Sequence, residues 1–331
     1  MVEMTTRQAS AVLQPGSVGR LRGWAQSLGL LWVLIVLCAL AIYLSPSFVH
    51  MGNVLNVGRQ VALFGIVSVG MTFVILTRGI DLSVGSIVGV VAVSTALMIS
   101  NGVSIPLAMI AALAIGASFG AVNGAGVVFF GMPSFIMTLG TLVMGRGIAM
   151  TIANGEPKAL GDAADAFAYL GSGFLLGIPV PIWLFAAIAA VAFVVLRHTP
   201  FGRQVYAVGS NAEAARLAGI SVPRTLMSVY VISGVLSALT ALVFVSRLTV
   251  GEPTAGTNLE LEAISIVVIG GTSLFGGEGG VIGTVIGAAI IAVMANILNL
   301  LGISPFTQQI VKGAIIIAAV MFEVYRHRVR S

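Results

Sequence analysis

Long, almost uninterrupted apolar runs recur along this chain, and short polar stretches separate them. A helix needs roughly 20 apolar residues to cross a bilayer, so the runs set the first expectation. The first span covers 28–44. Residues 48–60 carry Asn53, Asn56, Arg59 and Gln60 among apolar neighbours and read as the interfacial start of a second span that continues to Thr77. Arg78-Gly79-Ile80-Asp81 interrupts the pattern and opens a third span ending near Ser100. A fourth span, about 105–130, turns at Gly131-Met132-Pro133 into a fifth over 134–153. The loop 154–178 precedes a sixth span at 179–196, and the polar stretch 197–224 leads to a seventh at 225–246. A second loop, 247–262, precedes an eighth apolar run at 263–271 that is too short to cross alone. Residues 281–301 and 306–324 complete the series. The expected fold is therefore an all-α polytopic membrane protein of about ten transmembrane helices.

Composition agrees with lipid as the main solvent. Of 331 residues, 58% are hydrophobic and only 8% charged, with a mean hydropathy of +1.09; a soluble domain carries about 25% charged residues. The net charge of +5 does not point to nucleic acid, because the arginines flank apolar spans instead of forming a patch. With both termini cytoplasmic, the inside holds Arg7, Arg20, Arg22, Arg78, Arg197, Arg203, Arg216, Arg224, Arg326, Arg328 and Arg330. The outside holds only Arg59, Lys158 and Arg247. Such a positive-inside bias places the 197–224 loop in the cytoplasm. Residues 1–27 then form a cytoplasmic segment, 28–324 the transmembrane domain and 325–331 a cytoplasmic tail. The start resembles a signal peptide, but a retained anchor keeps the number of spans even.

The halves echo each other, about 28–170 against 179–324. Gly79-Ile80-Asp81-Leu82 matches Gly256-Thr257-Asn258-Leu259, and Gly131-Met132-Pro133-Ser134-Phe135 matches Gly302-Ile303-Ser304-Pro305-Phe306. Asn123 and Asn296 fall at nearly the same offset. A five-span period inverts the second half, so two inverted five-helix repeats are expected. In such folds the pathway lies at interrupted helices where the halves meet. That directs attention to Asp81, Ser83 and Ser86, and to Thr272 and Ser273 in the Gly-rich stretch. Asp81 either hydrogen-bonds a solute or caps span three, and its echo Asn258 is also a good cap, which favours the cap. Arg146, inside span five between two glycines, reads equally as a pathway group or as a side chain snorkelling outward. Lys312 reads as snorkelling. The glycines of 270–287 favour close helix packing over a lining role.

Within 197–224, Ser210 or Asn211 can cap a short helix through Glu213, Ala214, Ala215 and Arg216, and Gly219 can close it. A helix this short needs a docking surface to persist. Glu213-Ala214-Ala215 with Gly219 four residues beyond resembles the EAA loop of ABC importer permeases, the helix that seats in a groove of the ATPase. Residues 45–325 as a whole resemble the membrane subunit of a ribose-type monosaccharide ABC importer. The likeness rests on Gly70-Met71-Thr72, Gly79 to Ser86, Asn211 to Gly219, Pro253-Thr254-Ala255-Gly256 and Ile269-Gly270-Gly271-Thr272-Ser273-Leu274. It implies a homodimeric inner-membrane permease, a periplasmic sugar-binding protein and a cytoplasmic ATPase with two fused cassettes. Branched-chain amino-acid permeases are more distant relatives.

This chain has no G-x-x-x-x-G-K-[ST] phosphate loop, so ATP would be bound by the partner and no cofactor by this chain. The three histidines, His50, His198 and His327, are scattered, which suggests neither a metal site nor a catalytic triad. The single cysteine, Cys38, lies mid-way along the first span and makes no internal disulfide. An ion-coupled secondary transporter remains the alternative class, although it usually carries carboxylates inside its spans.

Overall fold

The computed structural model describes residues 18–328. Expectations for the rest of the N-terminal segment, including Arg7, and for Arg330 lie outside the described residues. Thirteen α-helices are present among them: α1 Val18–Leu44, α2 Met51–Leu76, α3 Val84–Ser100, α4 Ile105–Phe129, α5 Ser134–Ala153, α6 Ala164–Ser172, α7 Val180–His198, α8 Pro200–Ser210, α9 Ala212–Leu217, α10 Val222–Leu248, α11 Leu259–Ile269, α12 Val281–Leu300 and α13 Pro305–Arg328. Six of them, α2, α4, α5, α7, α10 and α12, are long and apolar enough to cross a membrane. The chain is a polytopic, mostly helical membrane protein. The first helix starts ten residues before the span predicted at Leu28, because nothing between Val18 and Leu28 breaks a helix as proline would.

The centre is the pair α2 and α10. Every α2 residue from Gly65 to Leu76 is buried, and α2 packs along α10. On the far side of α10 lie α3 and α4; on the far side of α2 lie α11 and α12. The outer helices α5, α7 and α1 pack on α3, α2 and α12 respectively. Small residues set the close approaches, as expected where van der Waals contact drives helix association. A Cβ on Gly116 would collide with the carbonyl of Gly234, and one on Gly234 with that of Gly116, so α4 and α10 touch backbone to backbone. Gly270 and Gly283 bring α11 and α12 together in the same way.

The loops segregate to two ends, as the alternating spans require. At one end, the strand Lys158–Ala159 (β1) pairs antiparallel with Val250–Gly251 (β4). There α6 lies across the end of α10, with Ser246 Oγ accepting the Gly171 N–H at 2.7 Å. Arg59 stands 5.0 Å over the Phe174 ring of the hairpin Phe174–Leu175 (β2) and Ile178–Pro179 (β3), and its charge bears on Arg247. At the other end, Arg78, α8 and the 270–280 loop meet.

The Gly116–Gly234 crossing yields a direct test of this packing. Gly234→Val should lower the unfolding midpoint in detergent by the equivalent of about 1–3 kcal/mol of overpacking. Gly140→Ala, where a Cβ meets nothing within 4 Å, should leave it unchanged or slightly higher. Equal midpoints for both variants would contradict the α4–α10 contact.

Candidate functional site

Two helices are broken inside the protein, and the site is built on those breaks. The first is Thr77–Ser83. The α2 helix ends at Leu76, Arg78 takes a left-handed φ of 65°, and a Cβ on Gly79 would press the Tyr230 hydroxyl and a Val74 methyl. Asp81 is fully buried, and its Oδ1 accepts the Ser83 N–H at 3.0 Å and the Ser83 hydroxyl at 2.6 Å. Its Oδ2 accepts the Ser233 hydroxyl of α10 at 2.7 Å. Ser83 Oγ in turn accepts from Asn123 Nδ2 of α4 at 2.8 Å, and Asn123 Oδ1 accepts the Thr141 hydroxyl of α5 at 2.7 Å. Ser86 Oγ donates to the Ser83 carbonyl at 2.9 Å. One carboxylate therefore ties the break to α3, α4, α5 and α10. The expected cap is corrected in detail: Ser83 is the N-cap residue of α3, and Asp81 shapes the turn that delivers it.

The second break, Thr249–Asn258, follows α10 as the first follows α2. Thr249, Gly256 and Asn258 have φ of 56°, 73° and 64°. The segment runs inward along α3, with Gly251 against Ala92 and Ala96 and Gly256 against Gly85 and Val88. Arg146 from α5 holds it, donating to the carbonyls of Pro253 at 2.7 Å and Ala255 at 3.1 Å. It thus grips backbone rather than snorkelling outward. The Glu260 carboxylate lies against the α-carbon of Gly85 and in the field of Arg146. Asn258 occupies the N-cap position of α11, yet its side chain does not cap. Lys312 does not snorkel: it pairs with Glu262 in the first turn of α11. The charge of Glu262 is thus balanced by a neighbouring helix.

The residues of the 197–224 loop form a third unit. Thr199 caps α8, accepting the Gly202 N–H at 3.2 Å, and Pro200 begins the helix. Val205 and Val208 turn inward, and Phe201 stacks on Phe73 at 6.4 Å. This helix was missed in the sequence; Thr199-Pro200 followed by apolar residues at 201, 205 and 208 is the signal that identifies it. Asn211 caps α9, accepting the Ala214 N–H at 3.0 Å, whereas Ser210 ends α8. Gly219, at φ 82°, closes α9: its N–H bonds to the Arg216 carbonyl and that of Ile220 to the Ala215 carbonyl. Ala215 faces inward, while Ala212, Glu213, Ala214, Arg216, Leu217 and Ala218 are exposed. Glu213 and Arg216 pair on that exposed face, and the bond holds the Glu213 carboxyl below its usual range.

Arg78 joins the units. Its Nε and one terminal nitrogen each donate at 2.5 Å, to the carbonyls of Gly209 and Ser210 at the end of α8. A positive charge there also complements the negative end of the helix dipole. The Gly-rich loop belongs to this corner too: Gly277 N–H bonds to the Leu76 carbonyl at 3.0 Å and Tyr206 OH to the Gly279 carbonyl at 2.9 Å. Thr272 and Ser273 shape that loop, accepting from Gly280 N–H at 3.3 Å and Phe275 N–H at 3.2 Å. The structure thus brings Asp81, Ser83, Ser86 and Asn123 together and leaves the others apart. Asn296 pairs with Asn53 of α2 in a reciprocal amide bond, at 2.7 and 3.0 Å.

The profile of a family described as "Branched-chain amino acid transport system / permease component" matches residues 53–320. The ribose import permease protein RbsC of Haemophilus influenzae is 46% identical over 294 residues, covering 88% of this chain and 91% of that protein. RbsC of Bacillus subtilis is 44% identical, covering 91% and 94%. The L-arabinose transport system permease protein AraH of Escherichia coli is 36% identical, covering 100% and 99%. No solved structure matches the chain. These relatives bear out the resemblance drawn from the motifs: the chain belongs to the branched-chain amino acid transport system / permease component family, on the side of its sugar permeases.

Proposed function

We propose that this chain is the inner-membrane permease of an ABC importer for a small neutral sugar, a ribose-like monosaccharide or sugar alcohol. A periplasmic binding protein delivers the solute, a separate two-cassette ATPase drives the cycle, and two copies of this chain form the pore. The names of the relatives, ribose and arabinose permeases, support sugar over the amino acids of the family description. Ten spans with both termini cytoplasmic are in keeping with the way the loops divide between the two ends. Two inverted halves are supported by an exchange of partners: α10 packs on α3 and α4, whereas α2 packs on α11 and α12.

The single observation that carries the mechanism is the Arg78 link. An exposed, doubly capped α9 offers small alanines and Leu217 to a groove on the ATPase. Motion applied there reaches α8, whose last carbonyls Arg78 holds. Arg78 opens the first break, and the Asp81 network spreads the displacement into α3, α4, α5 and α10. The second break follows through Gly85 against Gly256 and through Arg146. No charge is needed along the path of a neutral solute, and hydrogen-bonding groups suffice.

Two variants separate docking from transmission. Gly219→Val strains the left-handed closure by roughly 1–2 kcal/mol, so it should reduce both recovery of the ATPase with the permease and sugar uptake. Arg78→Gln should leave ATPase recovery intact, while sugar uptake and the stimulation of ATP hydrolysis by the binding protein both fall sharply. Normal uptake in both would reduce the 197–224 loop to a solvated connector. Orientation is checked separately by labelling with an impermeant thiol reagent. Cysteines replacing Asp162 or Glu252 should react from the periplasm and one replacing Glu213 should not; the reverse pattern would overturn the topology.

A further inference from the structure

We propose that the solute is read at the second break, by Thr257 and Asn258 with Glu260 in the turn that follows, and not by the polar network of the first. This rests on the permease reading above. It starts from depth. The segment 250–258 descends beside α3 until Gly256 meets Gly85. From the outer end of α3 at Ser100 to Gly85 is about 22 Å at a rise of ~1.5 Å per residue. Thr257 and Asn258 therefore sit far inside the ~30 Å hydrocarbon layer.

At that depth they are nevertheless exposed on the single chain, and Glu260 is half-buried. Polar side chains and non-helical backbone are tolerated at membrane depth only where they meet protein or line water. The face they occupy is not covered by α13, which is engaged one turn further along through Lys312 and Glu262. Nor is the Asn258 amide spent on capping α11. The Thr257 hydroxyl donates to the Thr254 carbonyl at 2.6 Å, which leaves its lone pairs free to accept. Thr257 and Asn258 thus offer two amide donors, an amide acceptor and a hydroxyl acceptor, and the half-buried Glu260 carboxylate stands against Gly85 in the turn that follows. That inventory fits the donor and acceptor hydroxyls of a neutral polyol.

The first break offers the opposite. Asp81, Ser83, Ser86 and Asn123 are all 0% exposed and bonded to one another. A solute could reach them only by breaking bonds that hold four helices together. The echo between Asp81 and Asn258 is therefore a division of labour: one residue is structural and its counterpart meets the cargo. Arg146 acts as a positioning residue, since its two bonds to Pro253 and Ala255 aim the segment.

The test uses the permease reconstituted in liposomes with its ATPase and binding protein, and ribose as the probe. Thr257→Val keeps the side-chain shape, and Asn258→Gly keeps the left-handed φ. Each should lower the maximal uptake rate about three- to tenfold, the range expected when one or more neutral hydrogen bonds are lost. ATP hydrolysis stimulated by the loaded binding protein should persist. In a Cys38→Ser background, Thr257→Cys should react with a small water-soluble thiol reagent in the assembled complex, whereas Ser83→Cys should stay inert. Wild-type uptake rates in both variants, or an unreactive Thr257→Cys sealed against a second copy, would overturn the proposal. If the wild-type complex itself imports no sugar, the permease reading fails; if only the variants behave as wild type, that reading stands and this one falls.

Discussion

A bilayer supplies no hydrogen bonds, so every non-helical residue inside it must have its backbone satisfied by the protein itself. That constraint shapes this molecule more than any other. Two of its central helices are interrupted, and each interruption needs support. At Thr77–Ser83 the support is side-chain chemistry: a buried carboxylate, two serines, an asparagine and a threonine. At Thr249–Asn258 it is a guanidinium donating to two carbonyls, together with a backbone seated against Gly85. Because the supports come from other helices, neither break can move alone.

The same constraint accounts for the glycines. At Gly85, Gly116, Gly234, Gly270 and Gly283 a side chain would displace backbone, so bulk at these positions separates helices whose contact seals the breaks. The breaks also supply what a transporter needs, a place where rigid helices end and geometry can change. Arg78 lies where the first break opens and where the exposed α9 is reached through α8, so a single side chain joins the proposed docking surface to the interior break.

Much of this was legible in the residues. The ends of α4, α5 and α12 follow from Ile105-Pro106, Gly131-Met132-Pro133, Asn154-Gly155, Gly280 and Gly302, where apolar runs meet breakers. Asn211 and Gly219 announced α9 because caps act through local hydrogen bonds. What stayed hidden depends on partners distant in sequence. Lys312 and Glu262 are fifty positions apart, and Asn53 and Asn296 far more, so no local pattern joins them. The role of Arg78 was hidden too, since its acceptors are backbone carbonyls that carry no residue signature. Asp81 and Asn258 look interchangeable in sequence, and only burial separates them.

The central claim is that α9, α8 and α3 move as one body because Arg78 joins them. Pulsed electron paramagnetic resonance measures this directly, with spin labels at Leu217 on α9 and at Ser100 at the far end of α3, in a Cys38→Ser background. Labels on Leu217 in the two copies of the proposed dimer should change their separation between the resting and ATP-trapped states. The Leu217–Ser100 distance within one chain should stay constant through the same transition, and should become variable in Arg78→Gln. A Leu217–Ser100 distance that changes in the otherwise native, actively transporting complex would contradict the account.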